Sequence, residues 1–260
     1  MVKTVVIDAG HGGHDAGAMG NGLKEKDLTL AIALETEKIL KRNYNGVEVV
    51  QTRRTDKYLT LKQRSDVSNS HKTDLFVSVH INSAKNNTAH GYESYISPHT
   101  SHKKALRTIH NEVASYFKKN NIHDRGLKEL AFYVLRWTHA PAILTESLFI
   151  NNPKEAKFLK GNVNQIAHAH AVGIAKMLGL QNKAQQVNEE DAQMKQEIAA
   201  LKKEVADLRK LVGKGQAGKT LAKYVERGKE LGITDGSNAG HPITREQAIA
   251  MMVRLHDLLK

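Results

Sequence analysis

The chain has 260 residues, 40% hydrophobic and 25% charged, which suits one α/β domain of ordinary size plus a small appendage rather than a disordered polymer. It has no cysteine, which excludes disulfides, thiolate metal sites and cysteine nucleophiles and leaves His, Asp and Glu as metal donors. The net charge of +12 implies an anionic partner, nucleic acid or an acidic polymer such as a bacterial wall, while aromatics at 5% weaken a base-stacking platform.

Val2 to Ile7 is a short apolar run that ends in the Gly-rich Asp8-Ala9-Gly10-His11-Gly12-Gly13, a strand and its loop. The N-terminus lacks the longer apolar core and the cleavage site of a signal peptide, so synthesis in the cytoplasm is expected. Leu28, Ala31, Ile32, Ile39 and Leu40 follow at helical spacing. Val47 to Thr52 reads as a strand, Leu61 to Ser68 as a helix, Leu75 to Ile81 as a buried strand and Tyr92 to Ile96 as another. Leu106, Ile109, Val113, Tyr116 and Phe117 lie on one side of an amphipathic helix. Phe132 to Leu135 and Ala142 to Leu144 read as strands.

Asn152-Pro153-Lys154-Glu155 opens a helix with a cap, a proline at the first position and an acid in the first turn. A further helix covers about Val163 to Leu178 and stops at Gly179. Strands alternating with helices predict an α/β fold, a mostly parallel twisted sheet flanked by helices, over residues 1–180.

The character changes beyond Leu180. Residues 181–218 read as a polar linker and a coiled-coil-like helix, because Met194, Ile198, Leu201, Val205, Leu208 and Val212 recur at gaps of four and three. That stripe fits either a homo-oligomer paired through residues 194–212 or a lone helix packed on its own domain. Residues 219–260 hold two helix patterns, the second opened by the capping box Thr244-Arg245-Glu246-Gln247. No run approaches the roughly 20 apolar residues that a membrane span needs.

Parallel α/β sheets place ligand sites at the carboxyl ends of their strands. His11 follows the first strand, His80 ends Leu75 to His80, and Glu146 ends Ala142 to Glu146. Glu25, between the first loop and the first helix, can fold back to the same rim. Two imidazoles and a carboxylate make a catalytic zinc set with one position open to water, and a further carboxylate can shuttle protons. Taken singly each residue has a plain structural reading, and a Gly-rich loop can instead cradle phosphate. The loop has neither the Gly-x-Gly-x-x-Gly fingerprint nor a P-loop lysine.

Four segments in order resemble the amidase-3 family of zinc N-acetylmuramoyl-L-alanine amidases: Val6 to Gly13, Gly22-Leu23-Lys24-Glu25-Lys26-Asp27-Leu28, Phe76-Val77-Ser78-Val79-His80-Ile81-Asn82-Ser83 and Pro141 to Glu146. The resemblance runs from about Met1 to Leu180. It implies Zn2+ held by His11, Glu25 and His80, with Glu146 as catalytic carboxylate. Leu61-x-x-Arg64 also resembles the family's helix before the second histidine strand. Arg64 is left as either a supporting or substrate-contacting residue or a solvated helix charge. The other histidines match no ligand position and are expected mostly at the surface, with His14 a candidate to line the site. The short interval from His80 to Glu146 has room for ordinary elements only, which implies an open site without the inhibitory helix of the family's regulated members.

Leu231 to Gly236 followed by Pro242 to Leu255 resembles one S-layer homology repeat, which implies binding to an anionic secondary wall polymer. The expected function is therefore peptidoglycan hydrolysis between muramic acid and L-alanine, by an endolysin or autolysin that reaches the wall through a holin lesion or after cell lysis. A wall-binding or scaffold protein with a degenerate amidase site is the alternative. A nucleic-acid partner is not expected, since the positive charge is spread along the chain and no nucleic-acid motif is present.

Overall fold

The computed structural model describes residues 2–213. The chain divides into a compact unit over Met1–Val187 and a second unit over Asn188–Lys260. The S-layer-like repeat of residues 219–260 lies outside the described residues.

The first unit is built on a six-stranded sheet. In chain order its strands are β1 (Lys3–Ala9), β4 (Val47–Gln51), β5 (Leu75–Asn82), β6 (Tyr92–Ile96), β7 (Asp124–Glu129) and β8 (Ala142–Phe149); β2 (Met19–Gly20) and β3 (Leu23–Lys24) form a separate small hairpin. Asn21 and Gly22 turn that hairpin with positive φ at both residues, the geometry that an Asn-Gly pair favours. The sheet order is β4-β1-β5-β8-β6-β7, and β4, β1, β5 and β8 run parallel. β6 pairs antiparallel with β8 because it starts at the sheet edge where β5 ends, with no crossover helix between them.

Helices α1 (Glu25–Asn43), α3 (Lys103–Lys119), α5 (Pro153–Gly161) and α6 (Val163–Leu178) join the larger core, whose sheet residues include Val5, Ile7, Val77 and Val79. The short helices α2 (Leu61–Asn69) and α4 (Tyr133–Trp137) lie on the other face, over Val6, Phe76, Ala142 and Leu144. Cover on both faces explains why Val5, Val6 and Ile7 are consecutive and all fully buried. Local signals act as read: Asn152 caps α5 ahead of Pro153, Thr60 and Gln63 form a capping box on α2, and Gly179 ends α6 in the left-handed region.

One expectation is corrected. The apolar run Phe132 to Leu135 is not a strand: Tyr133–Trp137 is helical, with Val134 and Leu135 packed on the second core. A short apolar run does not distinguish the two conformations. The neighbouring strand is instead Asp124–Glu129, whose charged sequence suits an exposed edge and shows no apolar alternation. The other histidines lie mostly at the surface, as expected, with His110 and His170 the interior exceptions. His110 stacks on Tyr92 and meets Ser94 and Asp124, and His170 is fully buried on α6.

The last described element, α7 (Lys183–Gly213), begins inside the stretch read as linker. Met194, Ile198 and Leu201 are exposed on it. No helix among the described residues is long and apolar enough to cross a membrane.

His170 gives the fold a pH dependence. Burial penalises its imidazolium and lowers its pKa to about 4, against an ordinary 6.5, although Ile166 O lies 2.8 Å from Nδ1. Thr145 Oγ1 meets Nε2 at 3.0 Å. A depressed folded value means that the unfolded chain takes the proton first. The stabilisation is complete above about pH 6.5 and is lost as pH falls toward 4, by roughly 3 kcal/mol for a shift of this size. Urea melts of the wild type and His170→Gln across pH 4–7 should show that slope in the wild type and a flatter one in the variant.

Candidate active site

The chain leaves β1 at Ala9 and turns at once. His11 sits in the left-handed region at φ 61°, followed by Gly12 at 130° and Gly13 at 59°. A non-glycine residue there costs about 1–3 kcal/mol and persists only where its surroundings hold it. They do so through two buried arginines. Arg53 Nε and Arg64 Nη1 both donate to Ala9 O, at 2.9 and 2.7 Å. Arg53 Nη2 and Thr29 Oγ1 both donate to Gly10 O at 2.8 Å, and Arg64 Nη2 donates to His11 O at 2.7 Å. Three successive carbonyls are thus clamped. Arg64 is 3% exposed, so it is not a solvated helix charge but a positioning residue for the His11 loop.

Fully buried Asp8 balances Arg64, accepting from Nη1 at 2.8 Å and from Thr52 and Ser78 hydroxyls at 2.7 Å each. Burial alone would raise the Asp8 carboxyl; the Arg64 guanidinium and the two hydroxyls outweigh it and hold the carboxyl below its usual value.

This loop and the β2–β3 hairpin bring three donors together. Glu25 opens α1 and is 3% exposed, with its backbone N–H on Ala18 O. Its Oε2 accepts from Ala18 N and lies 3.1 Å from His11 Nε2. Its Oε1 accepts from Ile81 N and lies 3.0 Å from His80 Nδ1. The donor atoms of His11, Glu25 and His80 all lie within 4.8 Å of one another, as a single metal ion requires. His11 and His80 meet edge to face, and Asp15 accepts from the outer nitrogen of His11, Nδ1, at 2.8 Å. A carboxylate behind an imidazole fixes its tautomer and suits it to metal ligation. Two imidazoles and a carboxylate are a donor set that fits zinc.

Two glycines leave the space that this cluster fills. A Cβ on Gly10 would stand 2.7 Å from His80 Nδ1, and one on Gly17 would stand 2.6 Å from Glu25 Oε2. Against burial, the hydrogen bonds and charge of Glu25 raise both imidazoles, His80 to about 9. The two imidazoles in turn hold Glu25 far below its ordinary value.

Glu146 is the register partner of His80 across β5 and β8. Its Oε2 is buried and accepts no hydrogen bond. Burial first, opposed by His80 and reinforced by Glu25 and Glu93, lifts its carboxyl to about 7. Such a carboxyl can both take and return a proton near neutrality. The four residues marked by the sequence therefore share one sheet edge. His14 is exposed and lies against the Tyr58 ring, 4.0 Å between centroids, instead of joining the cluster. Asp15, Arg53 and Asp8 were not singled out from sequence, where only the four-residue step from His11 to Asp15 carried a signal.

A mostly parallel sheet with a His–Glu–His cluster and an unpartnered carboxyl at its carboxyl edge is the arrangement of a hydrolase site. Residues 5–176 match the family described as N-acetylmuramoyl-L-alanine amidase, and the chain belongs to that family, enzymes that cut the amide between N-acetylmuramic acid and L-alanine. Among its relatives, the endolysin of Bacillus phage SPP1 is 43% identical over 190 residues, covering 71% of this chain and 69% of the phage protein. The sporulation-specific N-acetylmuramoyl-L-alanine amidase of Bacillus subtilis (strain 168) is 40% identical, covering 70% of each chain. The catalytic domain of CwlV, an N-acetylmuramoyl-L-alanine amidase from Bacillus (Paenibacillus) polymyxa var. colistinus, superposes with a TM-score of 0.65 at 39% identity, over 69% of this chain and all of that one.

The buried Asp8–Arg64 pair is open to test. Asp8→Asn leaves an uncompensated guanidinium and should cost about 3–5 kcal/mol at pH 7. The Asp8 contribution is present above its unfolded pKa of about 3.9 and is lost as pH falls through the lower folded value. The gap between wild type and Asp8→Asn in denaturant melts should therefore be full at pH 7 and close only below about pH 4.

Proposed function

We propose that this chain is a zinc-dependent lytic amidase of the endolysin or autolysin type, with His11, Glu25 and His80 as zinc ligands and Glu146 as catalytic carboxylate. The observation that carries this reading is the convergence of those ligand atoms beside an unpartnered buried carboxyl. Zinc at this cluster supplies Lewis acidity, which polarises the scissile carbonyl and makes water nucleophilic near neutral pH. Glu146 takes the proton from the attacking water and delivers it to the leaving amine of L-alanine. Glu25 keeps its place because each oxygen also accepts a backbone N–H, and Asp15 keeps the His11 ring turned inward. A wall-binding protein with a degenerate site is disfavoured, since all four groups are in place.

His80→Ala should lose both bound zinc, read by atomic absorption, and release of free amines from purified walls. Glu146→Gln should keep zinc and fold but lose about 10²–10⁴ in turnover. A zinc-replete, active His80→Ala protein, or a Glu146→Gln loss below about tenfold, sinks these assignments.

The C-terminal unit is proposed to retain the enzyme on the wall, through the S-layer-like repeat of residues 219–260 acting on an anionic secondary wall polymer. Pairing of two chains through residues 194–212 would place two weak binding sites on one surface, which raises avidity by roughly 10²–10⁴. The exposed Met194, Ile198 and Leu201 support that pairing. Sedimentation should show a dimer at micromolar concentration. Polar substitution of Ile198, Leu201 and Val205 should give monomers with reduced wall retention.

A further inference from the structure

The sheet face that carries His80 and Glu146 continues outward. His80 pairs with Glu146 across β5–β8, and Glu146 pairs with Glu93 across β8–β6. Register partners project from one face, and strands lie about 4.8 Å apart, so Glu93 stands roughly 10 Å across the sheet from the strand of His80. Glu93 is 3% exposed and fully satisfied. Asn82 Nδ2 and the Tyr95 hydroxyl donate to its Oε1 at 2.8 and 2.7 Å. Arg125 Nε and Lys128 Nζ both donate to its Oε2, at 2.6 and 2.5 Å.

The charges in this group do not cancel. Burial would raise Glu93, but Lys128, Tyr95 and Arg125 bring it down to about 2, so it is ionised at neutral pH. One carboxylate then faces two permanent cations, and a unit of positive charge remains beside Glu146. Both cations are reachable, with 33% of the Arg125 and 41% of the Lys128 side chain exposed. Both are also fixed in place. The Arg125 guanidinium lies over the Phe149 ring at 5.0 Å and donates to His90 O at 3.3 Å, and the Lys128 ammonium lies over the Tyr95 ring at 5.8 Å. Among the described residues, Arg125 Nη2 and two of the Lys128 ammonium protons have no acceptor.

A rigid, half-exposed pair of cations with spare donors is built for a carboxylate. On a peptidoglycan substrate the N-acetylated sugars are neutral, and carboxylates lie on the stem peptide beyond the first alanine. An extended peptide advances about 3.3–3.6 Å per residue. A carboxylate on the second stem residue thus lies about 7–10 Å from the scissile amide, within reach of side chains anchored on Glu93.

We propose that Arg125 and Lys128, held by Glu93, form a subsite for the carboxylate of the second stem residue and so set the amide in register with Glu146. This inference rests on the amidase reading above. Its test uses the full-length zinc-loaded chain and two muramoyl-L-alanyl-γ-glutamyl substrates whose γ-carboxyl is capped as an amide, one with a free α-carboxylate and one with that group as a carboxamide. The wild type should favour the carboxylate by about tenfold in kcat/KM, the discrimination of one charge-assisted hydrogen bond. Lys128→Gln and Arg125→Gln should each bring the ratio to within about twofold of unity, through KM of the carboxylate substrate. A purely structural ion pair at the β7 edge would lower both substrates alike and leave the ratio intact, which overturns the subsite. Wild-type cleavage of both substrates without preference overturns it before any substitution is made and spares the amidase reading. Wild-type cleavage of neither overturns the amidase reading and the subsite together.

Discussion

The geometry of the site depends on one constraint: the carbonyls of Ala9, Gly10 and His11 must point away from the site and still be hydrogen-bonded. A chain that leaves a buried strand and turns sharply exposes those groups where no neighbouring strand can pair them. Arg53 and Arg64 meet the demand from below, and Asp8 keeps one of the two cations from being buried unpaired. The turn then holds His11 in the left-handed region with its imidazole facing Glu25. A lysine in either arginine position has one ammonium and no fork, so it cannot hold adjacent carbonyls in the same plane.

The antiparallel strand β6 matters for the same edge. A fully parallel sheet would continue past β8 with another strand end and another loop. Here β6 enters alongside Glu146 with its own acid, Glu93, in register. Two carboxylates on adjacent strands repel, and the structure resolves this asymmetrically. Glu93 takes four donors and stays ionised, whereas Glu146 takes none on Oε2 and is lifted toward neutrality. Environments that push paired acids apart separate their roles.

The strand ends that carry His11, His80 and Glu146 were legible because a continuous apolar run followed by a polar side chain marks both the strand and its carboxyl edge. Glu25 was legible only as a residue able to reach that edge, and the Asn21-Gly22 hairpin is what brings it there. The strand β7 was not legible, since Asp124-Arg125-Gly126-Leu127-Lys128-Glu129 shows no apolar alternation and is mostly charged. Arg64 escaped assignment for a related reason. Its helix begins as a solvated one, with Leu61 and Lys62 exposed, and its buried side is polar, Arg64 with Ser65 and Ser68, where Arg64 meets Asp8. Helical periodicity reports burial by hydrophobic residues and is silent about a charge that is buried because its partner is.

The same distinction separates the site's frame from its contents. The glycines at 10 and 17 and the arginine clamp set where His11 and His80 stand, and the backbone N–H groups of Ala18 and Ile81 hold the two Glu25 oxygens that face the imidazoles. Those inward atoms are left as a carboxylate between two imidazoles, an arrangement that favours positive charge at its centre whether protons or a cation supply it. Small zinc modules that lack such a frame fold only when the metal arrives. Here a hydrophobic sheet and a buried ion pair lie beneath the three donors, and the sheet's carboxyl edge is left to the polar groups.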